Sequence, residues 1–292
     1  MRIDRRWIDT LLAWYFVTVW GSGYLATKIG LQYTAPFTFL TLRFMLGMAL
    51  MVPVAAALRP RWPHSPAEWL HIAVAGVLMH AINLGGSHYA QYLGLSAGIT
   101  ALLLSAQPLL TAVIAAGWMG ERLAPAQWTG VAVGFSGVLL VVWHKIDVRA
   151  ITPGSLVAVS TSLAGITAGT LYQRTFCRHV DLRGAPLIHF AASCAIVAPL
   201  AWLVEGAEVR WTWQLVAAIV FLVVLASILA TNVLHTLMRR GQATKVTSLL
   251  YLTPIIAVAL ERVMFGVVPT ALSVLGIAIT CLGVALVAWP RR

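Results

Sequence analysis

Eight polar or aromatic side chains fall inside long apolar stretches of this 292-residue chain: Trp20, Ser22, His80, Asn83, Gln107, Tyr172, Tyr251 and Thr253. At ~1.5 Å per helical residue, Trp20 lies about 16 Å beyond Asp9, near the middle of a ~30 Å hydrocarbon layer. His80 stands equally far beyond Trp69, and Asn83 lies one turn above it. Gln107 and Thr253 each precede a proline, Pro108 and Pro254, in the middle of a stretch. A proline there removes one helical hydrogen bond and can free the carbonyl four residues earlier, which would be that of Leu104 or Leu250. A freed carbonyl can accept from an ammonium group, and the kink can serve as a hinge. Together these residues can stack on and hydrogen-bond a small solute. Arg43 and Glu261 lie roughly 10 Å below one surface by the same rise. They suit a gating charge pair, or in the case of Arg43 a partner for a solute carboxylate.

Bond-breaking chemistry has little to work with. The chain has no G-x-x-x-x-G-K-[ST] loop and no H-E-x-x-H helix. Ser22 within Gly21-Ser22-Gly23 resembles a nucleophile setting, but nothing in the sequence ties a base to it, and small residues at that spacing suit close helix packing. Cys177, Cys194 and Cys281 form no C-x-x-C pair and read as inert thiols. No enzyme activity, cofactor or metal site is expected. None of the nine carboxylates reads as lying at mid-bilayer. Carriers driven by protons or sodium usually bury one deeper, so uniport or exchange is the simpler expectation, with a histidine relay through His80 as the alternative.

The elements that must position these residues are membrane-spanning helices. Apolar residues make up 60% of the chain, charged ones 10%, and mean hydropathy is +0.86. A soluble domain carries about 25% charged residues. Spans need ~20 residues each, and ten can be drawn: 9–29, 36–58, 69–91, 98–118, 125–143, 154–173, 184–204, 213–237, 244–265 and 270–289. Continuous rather than alternating apolarity excludes a β-barrel. Of 20 Lys and Arg, 14 fall in segments that share a face with the N-terminus, 5 on the other face, and Arg43 within a span. That bias places both termini in the cytoplasm. It also accounts for the net charge of +11 without a nucleic-acid partner.

The chain repeats itself at an offset of 146 residues, half its length. Phe44 aligns with Phe190, Pro108 with Pro254, and Gly120, Gly130 and Gly137 with Gly266, Gly276 and Gly283. Five spans per copy is an odd number, so the second copy enters the membrane from the opposite side. The expected architecture is an all-α integral membrane protein. Its ten transmembrane helices form two inverted five-helix repeats, residues 1–146 and 147–292, around a central cavity. Such inverted pairs are common in secondary transporters. The glycine-bearing spans five and ten suit a scaffold or a dimer face.

Trp20-Gly21-Ser22 followed by Lys28, Pro36-Phe37 with Arg43-Phe44, Ser96-Ala97-Gly98 leading to Gln107-Pro108, and Gly120-Glu121-Arg122-Leu123 before Gly130 resemble the EamA repeat of the drug/metabolite transporter superfamily. The second half echoes it with Ala243, Pro254, Gly266 and Gly276, while Val267 stands where Glu121 would repeat. The resemblance implies ten helices, cytoplasmic ends, a cavity lined mainly by spans 1, 3, 4, 6, 8 and 9, and a bacterial inner-membrane location. It is strongest to the aromatic amino acid exporter type. The function so implied is export of amino acids, aromatic and other apolar ones favoured, and related metabolites by alternating access, from a monomer or weak homodimer in the lipid bilayer. A mostly apolar cavity with few polar contacts suits such solutes. Export of lipophilic drugs or cations would call for a buried carboxylate, and a nucleotide-sugar or sugar-phosphate carrier for more basic residues than Arg43.

Overall fold

The computed structural model describes residues 5–147, 151–178, 180–181, 183–239 and 252–288. Among them regular structure is helical, apart from one isolated antiparallel bridge between Thr34 and Val209. In chain order the helices are α1 (Arg5–Gly30), α2 (Pro36–Leu58), α3 (Pro66–Tyr92), α4 (Ala97–Trp118), α5 (Pro125–Asp147), α6 (Pro153–Phe176), α7 (Ala185–Glu205), α8 (213–239), α9 (Thr253–Phe265) and α10 (Ala271–Val287). Seven of them, α2 to α8, contain stretches long and apolar enough to cross a membrane; α10 is apolar but shorter. Large side chains on the outside are apolar, such as Trp118, Leu203 and Val263. Lipid rather than water would cover them without cost.

Helix starts follow local chemistry. A hydroxyl accepts the first spare N–H at four of them: Ser65 from Glu68, Ser96 from Ile99, Thr212 from Leu215 and Thr270 from Ser273, each at 3.2 Å. Glu68 reaches back to accept the His64 N–H at 2.8 Å, which closes the turn reciprocally. Two features depart from the sequence expectation. The α3 stretch is π-helical over Val77–Ile82, and α8 is π-helical over Phe221–Ala230. These segments coincide under the 146-residue offset. In α4 the helix stops at Ser105 and restarts at Gln107. The Ala106 N–H turns to the Leu103 carbonyl at 3.2 Å. Pro108 is therefore the second residue of a new helical segment, where no N–H is required, rather than a kink inside an unbroken helix. Pro254 holds the same place in α9; Leu250, whose carbonyl it was expected to free, lies outside the described residues.

The chain divides into two compact units. The first draws on residues 1–27, 94–152 and 224–292, and the second on 28–93 and 153–223. In the first, α5 packs along α10 and α4 against α9. In the second, α2 packs along α7, and α3 against α6 and α7. The pairs α2/α7, α4/α9 and α5/α10 each join helices that the offset makes equivalent.

All three pairs run antiparallel. A Cβ on Gly130 would lie 2.7 Å from the Gly283 carbonyl oxygen, and one on Gly137 would lie 2.6 Å from that of Gly276. Adding 146 to Gly130 gives Gly276, and subtracting it from Gly283 gives Gly137. The two contacts are thus images of each other under a local two-fold rotation. In α2/α7, Phe44 stacks on its own equivalent Phe190, with ring centroids 5.5 Å apart. A residue can meet its own image only where the rotation axis passes.

Carboxylates fasten two of these pairs. Glu205, the last residue of α7, accepts the N–H groups of Phe37 and Thr38 at 2.9 and 2.8 Å and the Thr38 hydroxyl at 2.8 Å. Glu261, near the end of α9 and 2% exposed, accepts the N–H groups of Ala97 and Gly98 at 3.1 and 2.9 Å. Each sits on the positive end of its partner helix. The offset replaces them by Arg59 and Ala115, so this device exists at one end of each pair. At the start of α7, Asp181 instead accepts the N–H groups of Arg183 and Arg61, both at 3.0 Å. These bonds hold its carboxyl below the usual range.

Candidate functional site

Of the eight residues expected to meet a solute, Trp20, Ser22, Gln107 and Thr253 belong to the first unit and His80, Asn83 and Tyr172 to the second. Tyr251 lies outside the described residues.

In the first unit, α1 meets the start of α9. A Cβ on Gly21 would lie 2.9 Å from Ile256 Cγ2 and 3.3 Å from the Thr253 carbonyl oxygen, so Trp20-Gly21-Ser22 and Thr253-Pro254 are neighbours. Trp20 leans on Phe16, centroids 5.3 Å apart, and is 40% exposed. The Ser22 hydroxyl donates to the Thr18 carbonyl of its own helix at 2.6 Å. That bond is an ordinary way for a helix to satisfy a serine. Gln107 Nε2 donates to Thr111 Oγ1 at 3.1 Å, and Thr111 Oγ1 donates to the Gln107 carbonyl at 2.8 Å. Thr253 differs from these: its Oγ1 is buried with no hydrogen-bond partner among the described residues. A buried hydroxyl left unsatisfied costs about 1–3 kcal/mol. A pocket elsewhere in this unit is lined by Ser96, Lys145, Val258, Glu261 and Ser273; none but Glu261 was marked from sequence.

In the second unit, His80 lies on the π-helical turn of α3. Its ring stands 5.2 Å from Phe190 and 6.3 Å from Phe44, edge-on to both, and 5.5 Å from His189. Asn83 is spent on structure. Its Oδ1 and its carbonyl oxygen accept from the Ser162 hydroxyl at 2.8 and 2.6 Å, and its Nδ2 donates to the Met79 carbonyl at 3.1 Å. These bonds tie α3 to α6. Tyr172 sits at the other end of α3, with its hydroxyl 2.7 Å from His71 Nδ1. The Phe176 ring is 4.9 Å from that of His71 and 4.6 Å from that of Tyr172. Tyr172 is therefore grouped with His71 and Phe176 rather than with His80 and Asn83.

Arg43 belongs to the second unit and Glu261 to the first. The Glu261 carboxylate is held by the start of α4, which gives it a task apart from the charge pair expected of it.

Sequence reasoning missed three features. His71 as the partner of Tyr172 carried no signal. Glu205 as a helix cap carried no signal either, because the helix start it caps is 167 residues away. The meeting of His189 with His80 was within reach: Phe44 and Phe190 are mutual equivalents, so an inverted repeat can bring them together and carry their neighbours with them.

Helical throughout its described residues apart from one isolated bridge, and strongly apolar, the molecule has the make-up of an integral membrane protein. The EamA-like transporter family model matches residues 8–143 and again residues 146–289. The chain belongs to that family. It is 26% identical to the uncharacterized transporter YvbV of Bacillus subtilis, over 87% of this chain and 82% of that one. It is 23% identical to a probable amino-acid metabolite efflux pump of Escherichia coli, over 94% and 93%. A solved crystal structure superposes with a TM-score of 0.64 at 22% identity, over 95% of both chains.

Proposed function

We propose that this protein exports amino acids, aromatic and other apolar ones foremost, and related metabolites across the bacterial inner membrane. It does so by alternating access of two inverted five-helix repeats around a central cavity, with both termini in the cytoplasm. The observation that carries this reading is the set of antiparallel contacts between repeat-equivalent helices, above all Gly130–Gly283 with its image Gly137–Gly276. Two copies of one unit in opposite orientations can exchange conformations, so that one face opens as the other closes. The two matches to the family model and the efflux-pump relative support the same reading.

The side chains favour a zwitterion with an apolar body. Trp20 offers a half-exposed indole, and Thr253 a hydroxyl in need of a partner. The buried carboxylate of Glu261 and the half-buried one of Glu205 are occupied as helix caps, which weighs against a site for cationic drugs. Counterflow of labelled phenylalanine in proteoliposomes tests the proposal. Vesicles preloaded with unlabelled phenylalanine should accumulate label transiently. Trp20→Ala, Gln107→Ala and Thr253→Ala should each slow that uptake by about tenfold, as loss of ~1.4 kcal/mol of binding would, while the purified variants remain monodisperse. Counterflow at the wild-type rate in all three variants would remove these residues from the site.

A further inference from the structure

The histidines of the second unit have no part in that account, and their placement suggests one. His189 on α7 is 6% exposed and its neighbour Phe190 5%. Phe44 is fully buried. The His80 and His189 ring centroids lie 5.5 Å apart with the planes tilted at 48°, and His80 stands edge-on to the stacked pair Phe44 and Phe190. A solute carboxylate would need an opening between those rings, whereas a proton does not.

The ionisable groups around the pair can be enumerated for the described residues of this unit. Helix α2 presents Arg43, whose charge acts on His80 and on His88. Helix α7 presents His189 and Cys194, the latter packed against the Phe44 and Phe190 cluster and, as a thiol in apolar surroundings, kept neutral. Helix α3 carries His88 two turns beyond His80, and His71 at its other end. Helix α6 meets the His80 turn with Gly165 and Gly169, against Leu78, Met79 and Ile82. The carboxylates of the unit (Glu68, Asp181, Glu205 and Glu208) stand near helix ends or in the connections. A change of charge at this depth therefore falls to the imidazoles. Two imidazolium rings so close repel in a medium of low dielectric, so the pair holds one proton at most.

The backbone gives that proton something to move. His189 is fixed: a Cβ on Gly76 would lie 2.5 Å from its Cα, and Ser193 one turn later donates to the Gly76 carbonyl at 3.1 Å. His80 is on the π-helical turn, a conformation that is rare and concentrates at functional sites. Return of that turn to α-helical register would rotate His80 relative to His189. Under the 146-residue offset His80 is replaced by Ala226, on the other π-helical turn, and His189 by Arg43. The histidine pair therefore has no counterpart under the repeat.

We propose that His80 and His189 form a proton site that couples solute export to proton entry. The pair takes a proton from the outer face and releases it to the cytoplasm as solute leaves. This inference rests on the export reading above and replaces uniport as its energetics.

The test uses purified full-length protein in vesicles holding a pH-sensitive dye. Counterflow of labelled phenylalanine is compared with uptake driven by an imposed pH gradient. In wild type the gradient should raise the uptake several-fold, and proton movement should accompany flux. In His189→Gln the ratio of flux with and without the gradient should fall to about one, whatever the absolute rate; His80→Gln is the second variant if the first does not fold. Wild-type counterflow that ignores the gradient and moves no protons overturns the proton site and leaves the export reading intact. Full coupling retained in both variants overturns it as well. Absence of counterflow in wild type defeats the export reading, and the proton site falls with it.

Discussion

Two seams in this molecule obey the same symmetry and are built from opposite materials. Where α5 meets α10, Gly130, Gly134 and Gly137 face Gly276, Thr280 and Gly283, and backbone touches backbone. Where α2 meets α7, Phe44 stacks on Phe190, with His80 and His189 beside them. Apolar burial against lipid gives helices little reason to associate, so close backbone approach is one source of affinity and ring packing another. The glycine seam is also nearly symmetric in sequence: only Thr280 against Gly134 breaks the match. In the aromatic seam Arg43 opposes His189 and the symmetry is lost next to the axis. A scaffold contact tolerates little divergence because there is little free volume in which to diverge. A contact made of large side chains can accept a new group on one copy and so acquire chemistry that the other lacks.

The contrast predicts different responses to added bulk. Gly137→Leu should be the most damaging change. The atoms it meets are the Gly276 carbonyl oxygen and the Thr280 N, both at 2.6 Å, and backbone cannot turn aside. Overpacking costs about 1–3 kcal/mol where side chains can adjust and more where they cannot. Loss of monodisperse protein on size-exclusion chromatography is the expected result. Glu261→Ala should rank second. It leaves the N–H groups of Ala97 and Gly98 without that acceptor at a buried helix start, at a cost of about 2–3 kcal/mol, seen as a lowered thermal midpoint; Glu261→Gln, which keeps an acceptor oxygen, should cost about half as much. The mildest change should be Gly47→Ala in the aromatic seam. The added methyl would meet the edge of the Phe190 ring at 2.8 Å, and a ring edge can shift for about 1 kcal/mol. If Gly47→Ala proves as harmful as Gly137→Leu, the two seams do not differ in kind.

Much of this was legible in the sequence because apolarity and helix length are coupled in lipid. The span drawn at 36–58 is α2 (Pro36–Leu58), and the one at 69–91 lies within α3 (Pro66–Tyr92). The offset repeat needed no structure to be seen. The site was read less well, for reasons that differ by residue. Asn83 sits beside His80 as depth suggested, yet depth says nothing of partners, and Ser162 takes its oxygens. Tyr172 was named as a solute contact, and its hydroxyl lies 2.7 Å from His71 Nδ1, a partner 101 residues away that no local pattern announces. The π-helical turns left no trace, since Val77–Ile82 has the composition of any apolar helix and the widened register is set by packing. Pro108 was read as a kink within a span, whereas it is the second residue of a new helical segment. A proline can stand inside a helix or at the start of one, and local sequence does not distinguish the two.

The inversion of one copy relative to the other is the claim on which the rest depends, and equivalent residues test it directly. Glu121 follows α4 and its equivalent Val267 follows α9. With Cys177, Cys194 and Cys281 replaced, Glu121→Cys and Val267→Cys are made singly and treated with a membrane-impermeant maleimide on intact cells and on inverted vesicles. The account predicts labelling of the Glu121→Cys variant from the cytoplasmic face alone and of the Val267→Cys variant from the outer face alone. Labelling of both from the same face would mean that the copies are parallel, and alternating access by inverted repeats would be contradicted.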